Sequence, residues 1–151
     1  MNQPPIDVLV VEDDPANAHL TLIALRDAAI ESRVHVIGDG EEALAFLKRQ
    51  GKYASAPRPS LVLLDLHLPK LDGHQLLAAI KCDIELRRIP VVVLSSSTAT
   101  DDIERAYDLQ VSCFLVKPLE VDQYFAAIRC VKQLYFHTAV LPRARAATSS
   151  G

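Results

Sequence analysis

Leu61-Val62-Leu63-Leu64-Asp65-Leu66-His67-Leu68-Pro69 is the stretch that decides the fold of this chain. Four consecutive apolar residues, then a single carboxylate, then a proline four positions later read as a fully buried strand that ends at Asp65. Open α/β sheets bind ligands in the crevice at the carboxyl ends of their strands, so an Asp at that point faces a site and not the core. A strand-terminal Asp that only caps the next turn is the plainer reading, and Asp65 alone does not decide between the two.

Working outward, the same alternation of a short apolar run with a helical pattern recurs on both sides. Asp7 to Val11 form a first strand, and Pro15 opens a helix with Ala18, Leu22, Leu25 and Ala29 at helical spacing. Val34 to Ile37 form a second strand closed by Gly38-Asp39-Gly40, after which Ala43, Leu44 and Leu47 mark a helix up to Gly51. Lys52 to Pro59 is a turn-rich connection held extended by its prolines. After Asp72-Gly73, Leu76, Leu77 and Ile80 mark the third helix, and Pro90 precedes a fourth strand, Val91 to Leu94. Ser95 to Thr100 read as a hydroxyl-rich loop before a helix from Asp101 to Leu109, capped by Asp101 or Thr100. Val111 to Val116 form the fifth strand, and Phe125, Ile128, Val131 and Leu134 or Tyr135 trace the fifth helix. Strand followed by helix, repeated in this way, implies an α/β fold: a five-stranded parallel doubly wound sheet with five helices.

Composition narrows the function classes. A chain of 151 residues is one domain of ordinary size, able to bury roughly two thirds of its unfolded surface. Its 16 Lys and Arg against 19 Asp and Glu give a net charge of −3, which leaves no footprint for nucleic acid or an anionic membrane. Cys82, Cys113 and Cys130 are widely spaced with no Cys-x-x-Cys pair, as expected of reduced packing thiols in the cytoplasm. Neither a signal sequence nor an apolar run of membrane-spanning length is visible.

The residues just past the strands form a chemically coherent set. Glu12-Asp13-Asp14 comes after the first, Asp65 after the third, Ser95-Ser96-Ser97 after the fourth and Lys117-Pro118 after the fifth. In a parallel sheet these ends share one edge, so three or four carboxylates, a hydroxyl and an ammonium converge on one crevice. Clustered carboxylates repel one another and are tolerated when a hard cation joins them; Mg²⁺ takes a few carboxylates and keeps waters for a phosphate. A lysine and a hydroxyl suit the remaining phosphoryl oxygens, and a carboxylate can be the nucleophile that accepts the group. Singly, the acids read as helix N-terminal charge, Lys117 as a snorkelling residue and the serines as a cap. Jointly, each at the correct end of its strand, they read as a site.

These residues resemble the receiver domains of two-component response regulators, the CheY-like, flavodoxin-like fold. The matching motifs are Val10-Val11-Glu12-Asp13-Asp14, Leu64-Asp65-Leu66-His67-Leu68-Pro69-Lys70-Leu71-Asp72-Gly73, Val93-Leu94-Ser95-Ser96 and Phe114-Leu115-Val116-Lys117-Pro118-Leu119, spread over roughly residues 6 to 137. The resemblance implies a phosphoacceptor at Asp65 that takes its phosphoryl group from a histidine kinase. It implies Mg²⁺ held by Asp13, Asp65 and the His67 backbone carbonyl, with Glu12 acting through water. Ser95 and Lys117 would each bind a phosphoryl oxygen, and Ser95 and Phe114 would form the switch. Such a protein is a phosphoacceptor with phosphotransfer and autodephosphorylation chemistry of its own, not a turnover enzyme. The loop before Pro57-Arg58-Pro59, the Ile89-Pro90 strand entry and the long last helix resemble the single-domain regulators paired with bacterial phytochrome kinases.

Two positions depart from the commonest pattern. Position 67 is His where small polar residues are frequent, so its side chain can screen or orient the water that removes the phosphoryl group. Position 114 is Phe and not Tyr, which leaves the switch rotamer packing without a phenolic hydrogen bond. Three other classes compete. Gly38-Asp39-Gly40-Glu41-Glu42-Ala43 fits G-x-G-x-x-A, but after the second strand and with no room for a substrate domain. An aspartyl-nucleophile phosphatase needs a general acid at position 67, where His67 could serve. A binding module without phosphotransfer usually lacks one of the residues that are all present here.

The expected output is protein–protein contact through a surface of the fourth helix, fifth strand and fifth helix, with the kinase docking on the first helix near Ala18, Leu22 and Leu25. Residues 1–137 form the receiver domain and 138–151 an arm and tail, Pro142 breaking the arm and Ala144 to Gly151 trailing. Tyr124, Tyr135, Phe136, Val140 and Leu141 add more apolar surface than one helix face can bury, so a homodimer through these residues is expected.

Overall fold

Val91 to Leu94 and Leu61 to Leu64 are apolar and buried at every position, and this all-apolar character is what sends both to the middle of a sheet covered on two faces. The computed structural model describes residues 5–26, 32–138 and 140–142. It contains β1 (Ile6–Val11), α1 (Pro15–Arg26), β2 (Ser32–Ile37), α2 (Gly40–Leu47), β3 (Leu61–Leu64), α3 (Gly73–Cys82), β4 (Val91–Ser95), α4 (Thr100–Asp108), β5 (Cys113–Val116) and α5 (Val121–Lys132). The five strands are parallel in the order β2-β1-β3-β4-β5. The edges are taken by β2, which carries Arg33 and His35, and by β5, whose apolar side chains are only partly covered.

Strand alternation sorts the core into two layers. Leu9, Val11, Val62, Leu64, Val91 and Val93 pack with Phe46 and Leu47 of α2, Leu76, Leu77 and Ile80 of α3 and Ala106 of α4. Their neighbours Val8, Val10, Leu61, Leu63, Val92 and Leu94 pack with Ala24 and Leu25 of α1 and Tyr124, Ile128 and Val131 of α5. The sheet is doubly wound, with α1 and α5 on one face and α2, α3 and α4 on the other. Continued past the strand ends, the same period of two puts Glu12, Asp65 and Lys117 on the α1/α5 side. Ser95 and Phe114 fall on the α3/α4 side.

Several expectations change in detail. The N-cap of α4 is Ala99, with no side-chain cap, and neither Thr100 nor Asp101. The connection after α2 begins as a 3₁₀ turn, Gly51–Tyr53, because Tyr53 packs edge-on against Phe46 with ring centroids 5.2 Å apart. The inward stripe of α1 is Ala18, Thr21, Ala24 and Leu25, so Thr21 enters the core and Leu22 is only half-buried. Ala29 lies outside the described residues. The inward stripe of α5 is Tyr124, Ile128 and Val131, while Leu134 is exposed in the π-helical turn Gln133–Thr138 that continues the helix.

Candidate functional site

The ladder itself delivers the side chains. The Glu12 N–H donates to Ile37 O at 3.1 Å, the Asp65 N–H to Val11 O at 2.9 Å and the Lys117 N–H to Ser95 O at 2.8 Å, so each residue just past a strand is still pinned by its neighbour. Ser95, expected at the head of a loop, is the fully buried last residue of β4. The segment after Asp65 returns tightly to the sheet. The Gly73 N–H donates to Leu66 O at 2.8 Å, and Asp72 and Gln75 close a capping box on α3. A Cβ on Gly73 would stand 2.4 Å from the Leu66 Cα and 2.6 Å from the Asp65 carbonyl oxygen, so glycine is required for this approach. Gly40 is needed for the same reason: a Cβ there would meet the Leu71 carbonyl oxygen at 1.8 Å. The backbone of the Asp65 loop therefore occupies the place a dinucleotide would need at Gly38-Asp39-Gly40, against the oxidoreductase reading.

Glu12, Asp13 and Asp65 bring carboxylate oxygens within 4.8 Å of one another. Glu12 and Asp65 are only 6% and 8% exposed, and Asp13 is open to solvent. Asp14 is not part of the group. Its carboxylate accepts from the Ala16 N–H at 2.9 Å and from Asn17 at 3.2 Å, capping α1. The Lys117 ammonium reaches across to donate to Glu12 and lies 3.5 Å from Oδ2 of Asp65. Asp65 Oδ1 accepts from the His67 N–H at 3.3 Å, while the His67 side chain is exposed. Burial, with the Asp65 carboxylate beside it, pushes the Glu12 carboxyl up to about 7 against the pull of Lys117. Burial also opposes the Lys117 charge, but the bond to Glu12 and the charges of Asp65 and Glu12 outweigh it and hold the ammonium above the ordinary lysine value.

One ammonium facing three carboxylates leaves surplus negative charge in a largely buried crevice. All-oxygen donors at this spacing, one side open to water, fit a hard divalent cation. The sequence matches the response regulator receiver domain over residues 8–129. The chain belongs to the response regulator receiver family. Receiver domains use a divalent cation and receive their signal from histidine kinases, and this chain's acidic cluster suits that use. The receiver domain here is 41% identical to response regulator Rcp1 of Synechocystis over 143 residues, 95% of this chain and 97% of Rcp1. It is also 41% identical to the probable methanogenesis regulatory protein FilR2 of Methanothrix harundinacea, over 87% of this chain and 84% of that protein. Among solved structures it is similar to the phosphorylated cyanobacterial phytochrome response regulator RcpA, with a TM-score of 0.91 and 43% identity over 93% of this chain and all of that one. The Mn²⁺-bound form of Rcp1 follows with a TM-score of 0.89 and 40% identity over 92% of this chain and all of that one. The chain is thus a receiver-type response regulator close to phytochrome regulators.

Other expected residues take no part in the acidic cluster of this receiver site, and two are corrected. Phe114 is half-buried against the α3/α4 core layer, on the side of the sheet where Ser95 falls. Tyr124 and Phe136, expected at a dimer interface, are 4% and 5% exposed and belong to the chain's own core. Tyr135 is half-buried, Val140 fully exposed and Leu141 partly exposed. Ala18 and Leu25, expected near a kinase docking face, are buried, and the large apolar residue that α1 exposes is Ile23.

The sequence reading missed Thr21. Its hydroxyl donates to Asn17 O at 2.9 Å and lies 2.6 Å from the Tyr124 hydroxyl. Since the one Thr21 proton is on Asn17, Tyr124 is the donor of that pair. A cavity of about 10 Å³ has Glu12, Asp65, Lys117, Thr21 and Tyr124 all in its wall, so this pair lies against the acidic site.

Proposed function

We propose that Asp65 accepts a phosphoryl group and that the site is built to stabilise it there. An Asp65 carboxylate oxygen attacks phosphorus, the bond from phosphorus to the kinase histidine nitrogen breaks, and the nitrogen keeps the electron pair. The Lys117 ammonium, 3.5 Å from Asp65, is placed to pair with a phosphoryl oxygen, and the Ser95 hydroxyl can donate to another. Mg²⁺ would be held by Asp13, Asp65 and the His67 carbonyl, with Glu12 through water, and when bound it neutralises phosphoryl charge. The single observation that carries this reading is the contact of Lys117 with both Glu12 and Asp65. Incubation with acetyl phosphate and Mg²⁺, followed by intact mass, tests it. The reaction is stoichiometric on the protein, and sustained turnover of phosphomonoesters would favour the phosphatase reading instead.

The proposed phosphoryl donor is a bacteriophytochrome-type histidine kinase, supported by the likeness to Rcp1 and RcpA. Its docking face is α1 around the exposed Ile23. Three free thiols, none paired with another, suit action in the cytoplasm. The output is contact with a protein, including a second copy. Leu134 at 48% exposure, Val140 at 98% and the partly covered Tyr135 and Leu141 form an apolar end to α5 and the arm beyond it that a homodimer would cover. Sedimentation of the full chain at micromolar concentration, with and without acetyl phosphate, is expected to give a dimer that Val140→Asp abolishes. Monomers in both states would remove the proposal.

A further inference from the structure

The hydroxyl-rich loop is held by a circuit that leaves Asp65 in one direction and returns to Ser95 from the other. Ser95 Oγ accepts from the Ser97 N–H at 3.1 Å. Ser97 Oγ accepts from the Ala99 N–H at 3.2 Å and donates its one proton to Asp102 Oδ2 at 2.6 Å, the short length of a hydroxyl on a carboxylate. Asp102 is in the first turn of α4, whose own N-cap has no side-chain bond, so this carboxylate serves the loop and not its helix. The Asp102 carbonyl oxygen is 3.1 Å from His74 Nε2. A carbonyl only accepts, so the His74 ring carries its proton on Nε2 and donates. His74 is buried in the first turn of α3, directly after Gly73, whose N–H is bonded to Leu66, the residue after Asp65.

We infer that Asp102 is a positioning residue for Ser95: it fixes, through Ser97, the hydroxyl that meets the phosphoryl group, and His74 fixes Asp102 against the element that comes after the acceptor. This rests on Asp65 being the acceptor. The physical content is preorganisation. With its acceptor lone pair engaged by the Ser97 N–H, Ser95 has its proton left to donate, and a donor already in place costs no reorganisation when charge arrives. A Ser97 freed from Asp102 lets the loop sample other positions, and the donor is then present for only part of the time.

The test is the initial rate of phosphoryl mass gain of the full chain with acetyl phosphate at saturating Mg²⁺. Asp102→Leu is expected to slow it about fivefold, the scale of one lost hydrogen bond, and Ser97→Ala by a similar factor. Asp102→Asn retains an oxygen acceptor for Ser97 and is expected to stay within about twofold of wild type, although it loses the same helix-end charge as the leucine variant. In a Ser95→Ala background, Asp102→Leu is expected to add no further loss, since Asp102 acts only through Ser95. An Asp102→Leu rate equal to or above wild type, an Asp102→Asn rate as low as the leucine variant, or a full additional loss on top of Ser95→Ala would each overturn the inference. A wild type that gains no phosphoryl mass would overturn the acceptor reading and this inference with it.

Discussion

Lys117 Nζ lies 3.5 Å from Oδ2 of Asp65 while donating to Glu12, so one ammonium bridges the carboxylate of β3 to that of β1. It stands where both a phosphoryl group and a divalent cation would need room. Replacing it by methionine, of similar length, removes the only resident positive charge seen among the described residues of the crevice. Lys117→Met is therefore expected to bind Mg²⁺ more tightly than wild type in calorimetry. Phosphorylation by acetyl phosphate should fall about 100-fold, the usual loss when one preorganised charge-stabilising donor is removed. Weaker Mg²⁺ binding in this variant would contradict the assignment of Lys117 as a counter-charge to the acidic cluster.

Mg²⁺ is expected to stabilise the fold, since the unfolded chain does not hold Glu12, Asp13 and Asp65 within 4.8 Å. Saturation to about 100 times the dissociation constant corresponds to about 2.7 kcal/mol, a rise in Tm of several degrees for a chain of this size. Asp13 is exposed and its carboxylate has no hydrogen bond among the described residues, so Asp13→Asn, which relieves part of the repulsion in the cluster, should raise the metal-free Tm slightly while abolishing the shift. Differential scanning with and without Mg²⁺ reads both.

The Thr21–Tyr124 pair, 2.6 Å apart and buried, ties α1 to α5 against the acidic crevice. Tyr124→Phe keeps the ring and loses the bond, and urea unfolding should show a cost of about 1 kcal/mol. Thr21→Val, which strands the Tyr124 hydroxyl, should cost at least as much, and the double variant less than the two costs together, because either single variant already removes the shared bond. Additive costs would mean that the pair is not coupled.

Much of this was legible in the sequence, and the boundary of what was not is physical. The all-apolar runs at Val8 to Val11, Leu61 to Leu64 and Val91 to Leu94 can be covered only in a sheet packed on both faces, and the repeated alternation of strand and helix implied five parallel strands, while their order in the sheet is a finding of the structure. Residues just past the first, third and fifth strands, Glu12, Asp13, Asp65 and Lys117, meet because parallel strands end on one edge. Tyr124 was misassigned because an aromatic excess on α5 was counted without its polar partner. Thr21 sits at an inward position of α1, and a threonine among apolar residues gives no signal until the facing hydroxyl is known. The Asp102 circuit was invisible for the same reason. Ser97, Asp102 and His74 come from a loop and two helices that only the tertiary fold places together.

Gly73→Ala is expected to be one of the more damaging small substitutions. The added Cβ would fall 2.4 Å from the Leu66 Cα and 2.6 Å from the Asp65 carbonyl, both backbone atoms that cannot rotate away. A loss of about 1–3 kcal/mol is the ordinary cost of overpacking. Here the displaced segment carries Asp65, so Mg²⁺ affinity should fall together with stability. Stability lost with unchanged Mg²⁺ affinity would show that the loop yields elsewhere.

Whether Asp65 is the phosphoryl acceptor is decided by intact-mass spectrometry after incubation with acetyl phosphate and saturating Mg²⁺. A gain of a single phosphoryl group on the wild-type chain, dependent on the metal, and no gain on Asp65→Asn are expected. An unchanged wild-type mass, or the same gain on Asp65→Asn, would contradict that role.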